Sequence, residues 1–206
     1  MTNSHPLFIV LEGIDGSGTS TQLGLLERHL EGRGRRVHAT REPSQGPVGR
    51  LLREILHGGH RHSDDGAPVD GLAMALLFAA DRRDHLRREI EPALANGVDV
   101  VSDRYLLSSL AYQAQEADRS WVASLARDLR EPDLTLLLDL PIATAAARRR
   151  AAGRTEERYD ADPIQARVAS RYRELVAGDA RATVIDARGG IEDVARAVAA
   201  AVDRLL

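Results

Sequence analysis

The sequence predicts an α/β fold in which a central parallel five-stranded sheet lies between helices on both faces, and three observations carry that prediction. Five short apolar runs, at 8–11, 37–40, 98–101, 134–138 and 183–185, alternate with segments whose apolar residues recur at helical spacing. The runs at 8–11 and 134–138 are almost wholly apolar, as in parallel strands covered on both sides. No Pro/Ser-rich linker or low-complexity tract interrupts the alternation, so 1–206 reads as a single domain around one core.

Each element follows from local pattern. After the 8–11 strand, glycines and small residues extend through Ser20, and Leu23, Leu26 and Leu30 then mark a helix that stops near Gly32 and Gly34. The 37–40 strand leads into a loop with Pro43, Gly46 and Pro47, followed by a helix over 48–56. Residues 58–68 are polar and Gly-rich, which predicts a mobile loop. A helix is expected from 69 to about 95, bent or restarted by Pro92. The 98–101 strand ends at Asp103-Arg104, and helix is expected to about 130. Beyond the 134–138 strand, 141–177 reads as helix, basic loop and helix. The last strand precedes a helix with Ile191, Val194, Ala195, Val198, Val202 and Leu205 on one face.

Composition narrows the function. A formal charge of -3 offers no bulk attraction to nucleic acid, so no DNA or RNA partner is expected. Cysteine is absent, which removes disulfides, thiolate catalysis and cysteine-bound zinc. No apolar run is long enough to span a membrane, and residues 1–6 are polar, so a soluble cytoplasmic protein is expected. All 28 basic residues are arginine, so any side-chain cation that meets a phosphate must be a guanidinium.

The stretch Gly13-Ile14-Asp15-Gly16-Ser17-Gly18-Thr19-Ser20 lies between a strand and a helix, where a G-x-x-x-x-G-K-[ST] phosphate loop belongs. Glycines let successive N–H groups converge on phosphate oxygens, and the helix aims its positive end at the same place. These eight residues are the candidate ATP site, and Ser20 stands where a hydroxyl ligates Mg²⁺. Thr19 occupies the lysine position and brings a hydroxyl without a charge. The loop and the Asp103-Arg104 pair both fall at carboxyl ends of strands, where such folds bind ligands.

Several further segments match one family in order along most of the chain. They are FIVLEGIDGSGTSTQ at 8–22, TREP at 40–43, LFAADR at 77–82, Asp103-Arg104-Tyr105 with Ser108, Ser109, Tyr112 and Gln113, and PDLTLLLDLP at 132–141. On these motifs the sequence resembles bacterial thymidylate kinases. The resemblance implies a three-layer P-loop kinase fold and ATP- and Mg²⁺-dependent phosphorylation of dTMP to dTDP, a step of dTTP biosynthesis. It also implies a homodimer. At matching positions it implies that Asp15 approaches the sugar 3′-hydroxyl of the acceptor and that Arg104 holds the acceptor phosphate, with Arg41 and Arg53 assisting. Phe78 would stack on thymine, Arg82 would bond the base edge, and Ser109 would contact the base. Tyr112 would crowd the sugar 2′ position, and Asp103 would organise Mg²⁺ or the phosphates.

Spacing alone leaves alternatives. Phe78 and Arg82 share a helix face at i,i+4, yet Phe78 equally suits a core and Arg82 a pairing with Asp81 or Asp84. The basic constellation Arg148, Arg149, Arg150, Arg154 and Arg158 occupies the place of the family's mobile lid, about 148–162. Gly16 directly after Asp15 resembles the subgroup in which a lid arginine stabilises the transferring phosphoryl group. The stretch GRTEERYD runs one residue longer than the usual pattern, which leaves Arg154 and Arg158 as the two candidates. For Arg148 to Arg150 a solvated helix end, favourable to the helix dipole, is the competing reading. His57, His60 and His62 have no established metal-ligand spacing, so zinc is not expected there. Acceptors other than dTMP, such as dUMP, and a nucleotide-binding regulatory protein without turnover stay open on the sequence.

Overall fold

In the computed structural model, which describes residues 5–60, 65–153 and 157–206, strand β1 (Phe8–Gly13) is buried at every position. Its alternate side chains enter different clusters, as the pleat requires. Phe8 and Val10 pack with Leu86, Ile90 and Leu94, whereas Ile9 and Leu11 pack with Leu23, Leu26, Leu30, Val194 and Val198. Both faces are therefore covered, and the three-layer α/β expectation is met.

The other strands are β2 (Val37–Arg41), β3 (Asp99–Asp103), β4 (Leu134–Asp139) and β5 (Ala182–Asp186). They form a five-stranded sheet in the order β2-β3-β1-β4-β5, with every pairing parallel. From β1 the chain moves outward to β2, returns to β3 beside β1, then crosses to β4 and β5 on the other side. The winding thus reverses at β1, which places the carboxyl ends of β1 and β3 at the switch point where such sheets bind ligands.

Helix α1 (Thr19–Gly32) follows the glycine loop and packs against α9 (Ile191–Asp203). Helix α2 (Pro47–Leu56) opens with Pro47 in its first turn, where a missing N–H costs nothing. It packs on α3 (Gly71–His85), whose N-terminus is capped by the Asp70 carboxylate accepting from Leu72 N at 2.8 Å and Ala73 N at 3.3 Å.

The restart expected at Pro92 is present, whereas the helix expected over 105–130 is interrupted. The 69–95 segment is α3, then a π-helical turn at Leu86–Ile90, then α4 (Glu91–Ala95). Pro92 lacks a donor and crowds the preceding turn, and the chain shifts its hydrogen-bond register just before it. The 105–130 segment is α5 (Leu106–Tyr112), a 3₁₀ turn at Gln113–Gln115, and α6 (Arg119–Ser124). Asp118 starts α6 afresh by accepting from Trp121 N at 2.9 Å, a cap signal inside the apparent helix. The helix, basic segment and helix of 141–177 are present as α7 (Ile142–Ala151) and α8 (Asp162–Val176). In α9 the buried face holds Val194, Val198 and Val202, but Ile191 is 60% exposed, and Leu205, beyond the helix end, is 46% exposed.

Candidate active site

The carboxyl ends of β1 and β3 open on a cavity of about 490 Å³. Its phosphate-loop wall is shaped by two glycines with left-handed backbone. Gly16 has φ of +91°, and a Cβ there would lie 2.5 Å from the Ala145 carbonyl oxygen. Gly18 is left-handed at φ of +99° and caps α1, so the helix axis starts at the loop. Asp15, Gly16, Gly18, Thr19 and Ser20 line the cavity, whereas Gly13, Ile14 and Ser17 form the loop behind it. Thr19, in the lysine position, is buried against this wall and brings no cation to it.

Ser20 and Asp103 meet across the mouth of the loop, the Ser20 hydroxyl donating to Asp103 Oδ2. Asp103 Oδ1 is buried with no hydrogen-bond partner among the described residues. A hydroxyl beside a carboxylate with an unsatisfied buried oxygen suits a hard divalent cation that keeps most of its waters, so the pair fits Mg²⁺.

Across the cavity, three guanidiniums share the lining: Arg41 at the end of β2, Arg53 on α2 and Arg104 after β3. Arg53 is steadied by the Pro43 carbonyl at 2.6 Å and Gln45 Oε1 at 3.2 Å. Arg104 has φ of +74°, a left-handed backbone that non-glycine residues rarely adopt. Its Nη2 donates to Asp15 Oδ1 at 2.9 Å, and its guanidinium lies over the Tyr112 ring, 5.2 Å from the centroid. Burial works against that charge, but Tyr112, Asp15, Tyr172 and Asp103 outweigh it and hold the Arg104 pKa well above its usual value. Tyr112 donates to Asp15 Oδ2 at 3.0 Å, which places the carboxylate between the two aromatic and cationic groups.

Phe78 and Arg82 line the same cavity from one face of α3. Arg82 pairs with neither Asp81 nor Asp84. It bonds Glu42 of the 40–43 segment, Nε to Oε2 at 2.8 Å, with both side chains 3% exposed. Its Nη2 donates to Ser109 Oγ at 2.9 Å and to the Tyr105 carbonyl at 3.0 Å. Asp81 is engaged elsewhere, accepting from the Ser44 amide at 2.7 Å and hydroxyl at 2.6 Å, and burial pushes its carboxyl up. Ser109 stands behind Arg82 rather than in the cavity lining.

The lid arginines are placed unevenly. Arg154 and His62 lie outside the described residues. Arg158 is turned away from the loop, bonded to the Val69 carbonyl and to Glu116 Oε2 at 3.0 Å, while its neighbours Glu157 and Tyr159 line the cavity. Of Arg148, Arg149 and Arg150, only Arg150 is exposed as a solvated helix end would be. Arg149 is buried and donates to the Asp15 carbonyl at 2.7 Å and the Asp160 carbonyl at 3.1 Å. Arg148 donates to the Ala187 carbonyl at 3.0 Å and to the Ser17 carbonyl at 3.5 Å, so both tie α7 to the phosphate loop. His57 and His60 are engaged with the Arg53 carbonyl and Glu54, and no metal-binding group of three acidic, His or Cys residues occurs among the described residues.

Three residues of this site had no role in the sequence reading. Gln165 on α8 accepts from the Asp15 amide at 3.1 Å and donates to Asp15 Oδ2 at 2.8 Å, so it fixes the loop aspartate at both ends. Glu12 and Tyr172 are fully buried beneath Arg104 and bonded to each other at 2.9 Å. Burial raises the Glu12 pKa, against the pull of hydrogen bonds and charge from Ser108, Arg104, Tyr172 and the Tyr105 amide. One signal was available: Glu12 is a lone carboxylate closing a strand that is otherwise apolar.

A family model described as "Thymidylate kinase" matches residues 11–198. A protein named "Probable thymidylate kinase" from Thermococcus gammatolerans is 40% identical over 200 residues, covering 96% of each chain. Another so named from Pyrobaculum aerophilum is 43% identical over 201 residues and 97% of each chain. A "Thymidylate kinase" from Leifsonia xyli is 43% identical over 209 residues, covering 98% of this chain and 97% of the relative. The similarity thus extends to archaeal as well as bacterial proteins.

Proposed function

Since the chain belongs to the thymidylate kinase family, we propose that it transfers the γ-phosphoryl group of ATP to dTMP, giving ADP and dTDP. The observation that carries the proposal is the convergence of two unlike walls on one cavity. One is a glycine loop at a helix N-terminus, and the other holds Arg41, Arg53 and Arg104 beside Phe78 and Arg82. A protein that only binds a nucleotide triphosphate has no use for the second wall.

Phosphoryl transfer asks for in-line placement and positive charge rather than covalent help from the protein. Loop amides and the start of α1 would hold the donor phosphates. Arg104, with Arg41 and Arg53, would hold the acceptor monoester, which is mostly ionised at neutral pH and needs no strong general base. Phe78 offers a stacking face and Arg82 a donor toward a pyrimidine edge. Asp15 and Tyr112, bonded to each other, would border the deoxyribose. Ser20 and Asp103 would hold Mg²⁺, which would neutralise the negative charge of the phosphates. Because Thr19 brings no charge, a lid arginine, Arg154 or Arg158, would supply the remaining cation. We place the enzyme in the cytoplasm, and as a homodimer for which Leu72 and Leu76, exposed on one side of α3, offer apolar contact surface.

Thr19 favours one second reading, a nucleotide-binding regulatory protein without turnover. An ADP-release assay across nucleoside monophosphates separates the two. Release that depends on dTMP, and less on dUMP or ribonucleotides, supports the proposal. ATP binding without ADP release from any acceptor supports the second reading.

A further inference from the structure

Glu12 receives four hydrogen bonds on one buried carboxylate. Its Oε1 accepts from the amides of Tyr105 at 2.9 Å and Ser108 at 3.2 Å. Its Oε2 accepts from the Ser108 hydroxyl at 2.7 Å and the Tyr172 hydroxyl at 2.9 Å. The same two hydroxyls are the partners of Arg104 Nη1, at 3.2 Å for Ser108 and 3.3 Å for Tyr172. A hydroxyl has one proton; both hydroxyls lie within hydrogen-bond distance of Glu12, an acceptor-only group when ionised, and 2.8 Å from each other, where either can donate. However those protons are shared, both oxygens accept from the guanidinium, which can only donate.

The amide bonds act on the backbone of the same unit. Tyr105 and Ser108 follow on Arg104, whose φ is +74°, and Glu12 ties their amides to β1. Such a conformation persists where surrounding structure over-determines it. Nη1 is thus held from beneath, while Nη2 faces Asp15 at the cavity.

We propose that Glu12 is a positioning residue for the phosphoryl acceptor: through the Ser108 and Tyr172 hydroxyls it fixes the Arg104 guanidinium against the acceptor phosphate. The inference rests on the reading of Arg104 as the grip on that phosphate.

Steady-state kinetics and thermal unfolding of wild type, Tyr172→Phe, Glu12→Gln, Arg104→Ala and the Tyr172→Phe/Arg104→Ala double variant test it. Loss of a hydrogen bond that orients a charged group is expected to lower kcat/KM for dTMP by about 10-fold in Tyr172→Phe and about 10–100-fold in Glu12→Gln. The KM for ATP should stay within about twofold, and the double variant should be no worse than Arg104→Ala alone. If Glu12→Gln does not fold, Tyr172→Phe and the double variant decide. An impaired Arg104→Ala beside a Tyr172→Phe with wild-type dTMP kinetics overturns the inference alone. So do losses that fall equally on dTMP and ATP and add in the double variant. An Arg104→Ala enzyme with wild-type kinetics overturns the reading of Arg104 and the inference with it.

Discussion

Arg158 donates to the Glu116 carboxylate at 3.0 Å and to the Val69 carbonyl, so this guanidinium ties the 157–160 segment to residues beside α3 rather than to the phosphate loop. Tyr159 OH reaches the same Glu116 oxygen at 3.4 Å, and the Tyr159 pKa is pushed up to about 12, chiefly by burial and then by Glu116. Because this arginine already has two partners, Arg158→Ala is expected to raise KM for both substrates several-fold by loosening the segment. The transition-state cation is expected from Arg154, whose replacement by Ala should lower kcat by about 10³-fold with a smaller effect on ATP binding. Single-turnover kinetics of the two variants check this assignment; a kcat loss of that size in Arg158→Ala with a normal Arg154→Ala reverses it.

Tyr112 bonds Asp15 at 3.0 Å and stacks on Arg104, which sets the ring at the edge of the space for the acceptor sugar. Tyr112→Ala is expected to improve the use of ribonucleotide relative to deoxyribonucleotide monophosphates by about 10-fold, the scale of a single steric exclusion. An unchanged ratio of kcat/KM values removes the ring from that role.

Glu42 and Arg82 form an ion pair with both side chains 3% exposed, at the wall assigned to the base. Removing one partner leaves a buried charge unpaired, so Glu42→Ala should cost about 3–5 kcal/mol of stability. It should also weaken dTMP binding more than ATP binding, because Arg82 lines the cavity and would lose its orientation. Urea unfolding with a change below about 1 kcal/mol would contradict the pair's structural weight.

Thr19 is 7% exposed on the donor wall, in a chain with no lysine. Thr19→Lys restores a charge beside the β- and γ-phosphate positions and is expected to raise ATP affinity or kcat about 10-fold. It should also partly rescue Arg154→Ala. No gain in either background would mean that loop amides and Mg²⁺ suffice without a cation at this position.

The sheet and its phosphate loop were legible because their signals are local. Apolar runs announced β1 and β4, and glycines between a strand and a helix announced the loop. The restart at Pro92 was legible too, but the Asp118 cap sits inside continuous apolar spacing and was not. Motif order along the chain brought Arg41, Arg53, Phe78, Arg82, Arg104 and Tyr112 to notice, and all six line one cavity. The residues missed act over long separations. Gln165 meets Asp15 across 150 positions and Tyr172 meets Glu12 across 160, so neither has a neighbour in sequence that hints at its role. Arg82 shows the same limit from the other side: Asp81 and Asp84 were the acidic neighbours open to it in sequence, but it bonds Glu42, 40 positions away.

Formation of dTDP is the measurement that bears most directly on the central claim. Purified protein is incubated with ATP, dTMP and Mg²⁺, and nucleotides are separated by anion-exchange chromatography. The account predicts dTDP and ADP in equal amounts, loss of both when Mg²⁺ is chelated, and turnover on dTMP above that on ribonucleoside monophosphates. Folded protein that binds ATP yet forms no dTDP at saturating dTMP and Mg²⁺ would contradict it.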